Sequence, residues 1–137
     1  MILPALKKSL QEEDQIDILS SCMIALGKIG GDTEIPGLLE PQLKHANGEI
    51  SETAALSYGI LQHVDALPML KDLVLDTVKG RAITEQGSGV PIRTRAFATF
   101  GLGLVGHAVA DPGIKGEIQR TLWDVLTTDQ NALKDLR

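Results

Sequence analysis

The chain has 137 residues and a net charge of −5, with 18 acidic residues against 13 basic ones. That length buries a core without metals or disulfides, and that charge lacks the basic field a general grip on nucleic acid requires. Hydrophobic residues at 43% and charged residues at 23% exclude a disordered chain, and no apolar run approaches the ~20 residues of a membrane span.

Aromatic residues are only 3%, so the core is built from Leu, Ile, Val and Ala, which suits close helix packing better than a β-sandwich. Taken in chain order, residues 1–13 read as the second helix of a pair, with Pro4 in its first turn, where a missing N–H costs nothing. Residues 14–47 follow as a first full repeat. Ile18, Leu19, Cys22, Met23, Leu26 and Ile29 share one helical face. Gly30-Gly31-Asp32-Thr33 then ends that helix and caps the next. Pro41 falls inside the second helix of this repeat and is expected to kink or interrupt it.

Residues 48–78 form a second repeat, with helices from Glu49 to Gln62 and from Asp65 or Leu67 to about Thr77. Residues 79–90, KGRAITEQGSGV, carry three glycines and little apolar periodicity, and are read as an inserted, exposed loop. Residues 91–128 form a third repeat, with helices from Pro91 to His107 and from Pro112 to Thr127, and residues 129–137 read as the start of another first helix.

The repeats share a signature. Gly27, Gly59 and Gly103 are each followed nine residues later by a proline, Pro36, Pro68 and Pro112. Five positions before each Gly sit Cys22, Ala54 and Ala98, and two positions before it Ala25, Ser57 and Gly101. Small residues at these places let two helices approach closely, at about 1 kcal/mol per helical Gly relative to Ala. Self-similarity of this kind marks stacked helical repeats. A repeat buries its apolar face only against neighbours, so the partial repeats at both ends read as a segment of a longer array.

The segments SSCMIALGKIGGDTEIPGLL and TRAFATFGLGLVG resemble HEAT-type repeats, and are similar to the short variety found in phycobilisome lyases. Arg95, Ala98, Gly101, Leu102, Gly103, Val105 and Gly106 follow the family pattern. Leu19 and Ser51 stand in the place of its Arg in the other repeats. The resemblance implies an all-α fold, an α-α superhelix (solenoid) of about three helical hairpins with partial repeats at both ends. It also implies an armadillo-like protein-interaction or scaffold role. It brings no common chemistry, because function sits on sites grafted onto a fold.

Candidate chemistry comes down to a few residues. Gly101 to Ala110, GLGLVGHAVA, satisfies G-x-G-x-x-G. That motif holds a pyrophosphate only where a strand turns into a long helix, and Asp111-Pro112-Gly113 leaves no room for one. His45, His63 and His107 have no partners at metal-ligand spacing. Cys22, the only cysteine, permits no internal disulfide and sits on an apolar face, so it reads as a buried thiol in a reducing compartment. The N-terminus shows no signal peptide, and a cytoplasmic location follows as the expectation.

Glu12, Glu13, Asp14 and Asp17 read as a solvated helix start, and Lys71, Lys79, Arg81, Arg93 and Arg95 as a local basic patch. The expected function is a noncatalytic protein-binding module without cofactor, metal, nucleic acid or membrane. The alternative is a regulatory or substrate-binding part of a larger, lyase-like enzyme. Lys71, Asp72, Gln119, Arg120 and Asp124, on the second helices, are the expected partner contacts. Self-association through the truncated repeat ends is a further expectation.

Overall fold

The computed structural model describes residues 2–135, with side chains through Thr128. The described residues are all-helical, with eight α-helices and two short 3-10 segments. Helix α1 spans Ile2–Glu12 and α2 spans Ile16–Ile29. Asp17 lies in the first turn of α2 and Lys28 in its last, matching the helix dipole. Gly30 and Gly31 then take φ of 59° and 70°, a region that favours glycine, and turn the chain. Asp32 holds that turn: its Oδ1 accepts from the Glu34 amide at 2.8 Å, and its Oδ2 meets Lys7 Nζ of α1 at 2.6 Å.

Helix α3, Ile35–Leu39, gives way to a 3-10 segment over Glu40–Lys44, with Pro41 at its start, as the sequence led one to expect. Helix α4, Gly48–Leu61, is capped by Asn47, whose Oδ1 accepts from the Glu49 amide at 2.9 Å. A 3-10 turn at Val64–Ala66 leads into α5, Leu67–Val74, with Pro68 in its first turn.

The segment 79–90 corrects the sequence reading. It is no extended loop, since Val78–Thr84 forms helix α6. Thr77 caps it, accepting from the Gly80 amide at 3.1 Å and donating to Asp72 Oδ1 at 2.8 Å. Gly80 lies so close to the Asp72 carbonyl that a Cβ there would overlap it. Asp76 ties down the remainder, accepting from Arg81 Nε at 3.0 Å and from the Val90 amide at 2.7 Å.

Helix α7 spans Ile92–Ala108. Helix α8 starts at Pro112, where Asp111 Oδ1 accepts from the amides of Gly113 and Ile114 at 2.7 and 3.1 Å, and it continues to Asp135. This is a second correction. Residues 129–135 prolong α8 and do not open a new helix, while 136 and 137 lie outside the described residues. No Gly or Pro interrupts TTDQNALKD, so nothing local stops the helix.

One packing rule recurs. Helix α4 lies on α2 and on the 3-10 segment of Glu40–Lys44, and α7 lies on α4 and on α5. Helix α1 supports α2 in the same way. The core between them is aliphatic: Met23, Leu26, Ile35, Leu39, Ile50, Leu70, Leu73, Leu102 and Val105 are fully buried, and Tyr58 is its one buried aromatic among the described residues. On α2, Leu19, Cys22, Met23 and Leu26 are buried as the periodicity indicated. Ile18 and Ile29, at the edges of that stripe, remain 38% and 49% exposed.

The glycines are not equivalent. A Cβ on Gly27 would stand 2.8 Å from the Ser57 carbonyl oxygen, and one on Gly59 would fall inside the Gly101 backbone. A Cβ on Gly103 would meet none of the described residues within 4 Å. The close approach expected at all three signature glycines is therefore made by two of them, each against the small residue two places before the next signature glycine.

Candidate functional site

Two adjoining hollows lie along the second helices. The first, about 690 Å³, is lined by the α2–α3 turn at Asp32 and Thr33, by Pro36 and Glu40, by Tyr58 and Leu61 of α4, and by His63, Asp65 and Met69. The second, about 660 Å³, runs between α5 and α8, lined by Leu67, Lys71, Asp72, Leu75, Ile114 and Glu117. Asp65 borders both, so the two form one continuous band. Hollows of this size suit a peptide side chain or a small ligand.

The floor of the first hollow is fixed. Tyr58 donates to the Pro36 carbonyl at 2.5 Å, joining α4 to α3. Burial, reinforced by the nearby charge of Glu40, pushes its phenol well above the ordinary range, so it stays protonated. On the rim, the Lys7 ammonium beside Asp32 holds that carboxyl below its usual value, helped by the Glu34 amide. His63 Nδ1 lies 3.4 Å from Asp65 Oδ2, both well exposed. In the second hollow, Lys71 Nζ reaches Glu117 Oε1 at 2.7 Å and ties α5 to α8.

Carboxylates outnumber bases along this band. Asp32, Glu40, Asp65, Asp72 and Glu117 face it with Lys71 and His63 as the basic lining groups. That balance of charge is complementary to a polar or basic surface. Among the described residues, no group of three or more His, Cys, Asp or Glu side chains is placed to hold a metal ion. None of the described helices is long and apolar enough to cross a membrane.

Of the expected contact residues, Lys71 and Asp72 line the second hollow, each already engaged: Lys71 with Glu117, Asp72 with Thr77. Gln119, Arg120 and Asp124 lie exposed on α8, outside the lining of either hollow. Sequence reading missed Glu117, Asp65 and the whole first hollow. Glu117 left no local signal, since its carboxylate meets Lys71, 46 residues earlier in the chain. The first hollow had none, because its walls come from two turns and the helix ends beside them, about thirty residues apart in sequence.

The basic patch does not assemble as an anion site. Arg81 pairs with Asp76 at 2.8 Å and Arg93 with the nearly buried Glu52 at 3.1 Å. Arg95 Nε donates to the Val74 carbonyl at 3.0 Å, closing the C-terminus of α5. His45 accepts from the Asn47 amide at 3.0 Å. The glycines of GLGLVG lie inside α7, far from any strand-to-helix turn. No family model matches the chain, and no curated protein matches it.

Proposed function

We propose that the chain is a noncatalytic protein-interaction module of HEAT-like repeats, its helix pairs stacked as an α-α superhelix with the second-helix layer turned to the partner. The recurrent packing rule supports the stacked arrangement: each first helix rests on the first and second helices of the pair before it. The observation that carries the binding face is the continuous hollowed band from Pro36 through Asp65 to Glu117. It presents the half-buried Met69 and the exposed Leu75 among carboxylates, a mix of apolar anchor and polar rim found in specific contacts. Its acidic balance favours a partner segment rich in Lys or Arg.

A photo-crosslinking residue at Met69, with a control at Lys28 on the first-helix layer, tests the assignment in cells. The expected result is a defined adduct from position 69 that disappears when Glu40 and Asp65 are changed to Lys. Equal crosslinking from both positions, or indifference to the charge reversal, would count against the band as the binding face.

A further inference from the structure

The three first helices carry one equivalent face, covered on two of them and, among the described residues, bare on the third. On α2 it holds Ile24 and Gly27, on α4 Leu56 and Gly59, on α7 Phe100 and Gly103. Helix α4 lies on the first of these faces and α7 on the second. On α7 a Cβ at Gly103 would meet none of the described residues within 4 Å, Phe100 is 63% exposed and Ile92 is 74% exposed. Ile92, Ala96, Phe100 and Gly103 recur at helical spacing as one uncharged stripe. The neighbouring α8 packs on α7 and leaves Trp123 and Leu126 exposed by 69% and 56%. Each earlier first helix supplies, with its adjoining second helix, the seat of the next. The α2/α4 and α4/α7 interfaces thus continue onto an open seat made by α7 and α8.

The helices that fill the two closed seats define what fits the open one. Each brings a small residue to the crossing, Ser57 or Gly101. Three places later each has an aliphatic residue, Ile60 or Leu104, and four places earlier an uncharged one, Thr53 or Phe97. Ile60 packs directly at Gly27, its Cβ 3.4 Å from where a Gly27 Cβ would stand. The leading face of α2 matches only in part. Ala25 is small and Ser21 four places earlier is uncharged, but Lys28 stands where Ile60 and Leu104 stand on the helices that fit. A second copy added head to tail would press that ammonium against an apolar stripe.

We propose that the α7–α8 seat takes a partner α-helix bearing Gly, Ala or Ser at the crossing, an uncharged residue four places before it and an aliphatic one three places after. This rests on the packing register and is independent of the second-helix band. The probe is a helix-constrained peptide of residues 91–108, whose Gly101 face already fills the equivalent seat on α4. Trp123 is the only tryptophan, so its emission reports on the seat of the full chain.

Titration with the peptide should give a saturable blue shift. Gly103→Leu in the protein should abolish the shift without lowering the melting temperature, since a side chain there meets open space and replaces a helical glycine. A peptide carrying Leu104→Lys, which reproduces the mismatch of Lys28, should not bind. The proposal is overturned by the absence of any shift from a peptide shown to be helical, or by a shift that survives Gly103→Leu. A Gly103-dependent shift that grows with protein concentration alone would also overturn it, by giving the seat to a second copy.

Discussion

Gly59 of α4 and Gly101 of α7 meet backbone to backbone. A Cβ on Gly59 would stand 2.8 Å from the Gly101 carbonyl oxygen and closer still to its Cα, while a Cβ on Gly101 would lie 3.4 Å from the Gly59 Cα. The contact is asymmetric, so the two positions tolerate a methyl group unequally. Gly59→Ala requires α4 and α7 to separate, and overpacking of this kind costs about 1–3 kcal/mol or more. Gly101→Ala only tightens an existing contact and is expected to cost less. Gly103→Ala meets nothing and removes the entropy penalty of a helical glycine, so it should stabilise by about 0.5–1 kcal/mol. Urea unfolding of the three variants at one protein concentration checks the order, and the opposite signs at positions 59 and 103 are the decisive part.

Asp76 organises the segment from Thr77 to Val90. Its carboxylate accepts from Arg81 and from the Val90 amide, and the backbone at Asp76 itself takes φ of 54°. Those two donors, Arg81 first, hold its pKa down to about 2 from 3.8. A carboxylate with a depressed folded-state pKa contributes stability above its unfolded value and loses it as pH falls through the folded value. The contribution of Asp76 should therefore be complete above about pH 4 and fade toward pH 2. Hydrogen exchange of the amides in α6 should accelerate over that window more than exchange in α4. Asp76→Ala should reproduce the effect at neutral pH and cost about 2 kcal/mol, the range for hydrogen bonds to a charged group. Protection of α6 that is independent of pH in the wild type would count against this role.

The parts of this fold legible in the sequence are those fixed by local chemistry. Pro36, Pro68 and Pro112 each stand in the first turn of a helix or at its first residue, because proline fits there and almost nowhere else in a helix. Pro41 breaks α3 into a 3-10 segment for the same reason. What escaped depends on distant partners. Helix α6 is short and weakly periodic, and is held by Thr77 against Asp72 and by Gly80 beneath the Asp72 carbonyl. Neither contact leaves a periodic trace. Gly101 and Gly103 are the same residue type two places apart, so spacing alone could not say which one faces α4. The first hollow is built from turns separated by about thirty residues of sequence, and Asp65 reads as an ordinary turn acid until α4 and the α2–α3 turn are placed beside it.

Cys22 is 6% exposed on the core face of α2. Burial is the main cause that pushes its thiol above the ordinary value, with the charge of Glu13 adding to it. Both low access and a small thiolate fraction slow attack on an alkylating or disulfide reagent. Under native conditions near neutral pH, Cys22 should react with a soluble aromatic disulfide at a rate set by opening of the fold, and quickly in urea. Rapid native labelling would show that the α1–α2 contact opens readily.

Ser57 and Thr94 place their hydroxyls in the core, on α4 and α7, with no hydrogen-bond partner among the described residues and no exposure. An unmet buried hydroxyl costs about 1–3 kcal/mol, whereas an apolar group of the same shape avoids that penalty. Thr94→Val keeps the volume and removes the polar atom, so it should leave stability unchanged or raise it by about 1 kcal/mol. Ser57→Ala should behave alike, because the part of Ser57 that meets Gly27 is its carbonyl and not its side chain. The double variant tests whether the two hydroxyls act independently, since α4 and α7 pack against each other. Thermal unfolding of the singles and the double is the measurement. A clear loss at either position would reveal a partner for that hydroxyl, such as a buried water bridging the two helices.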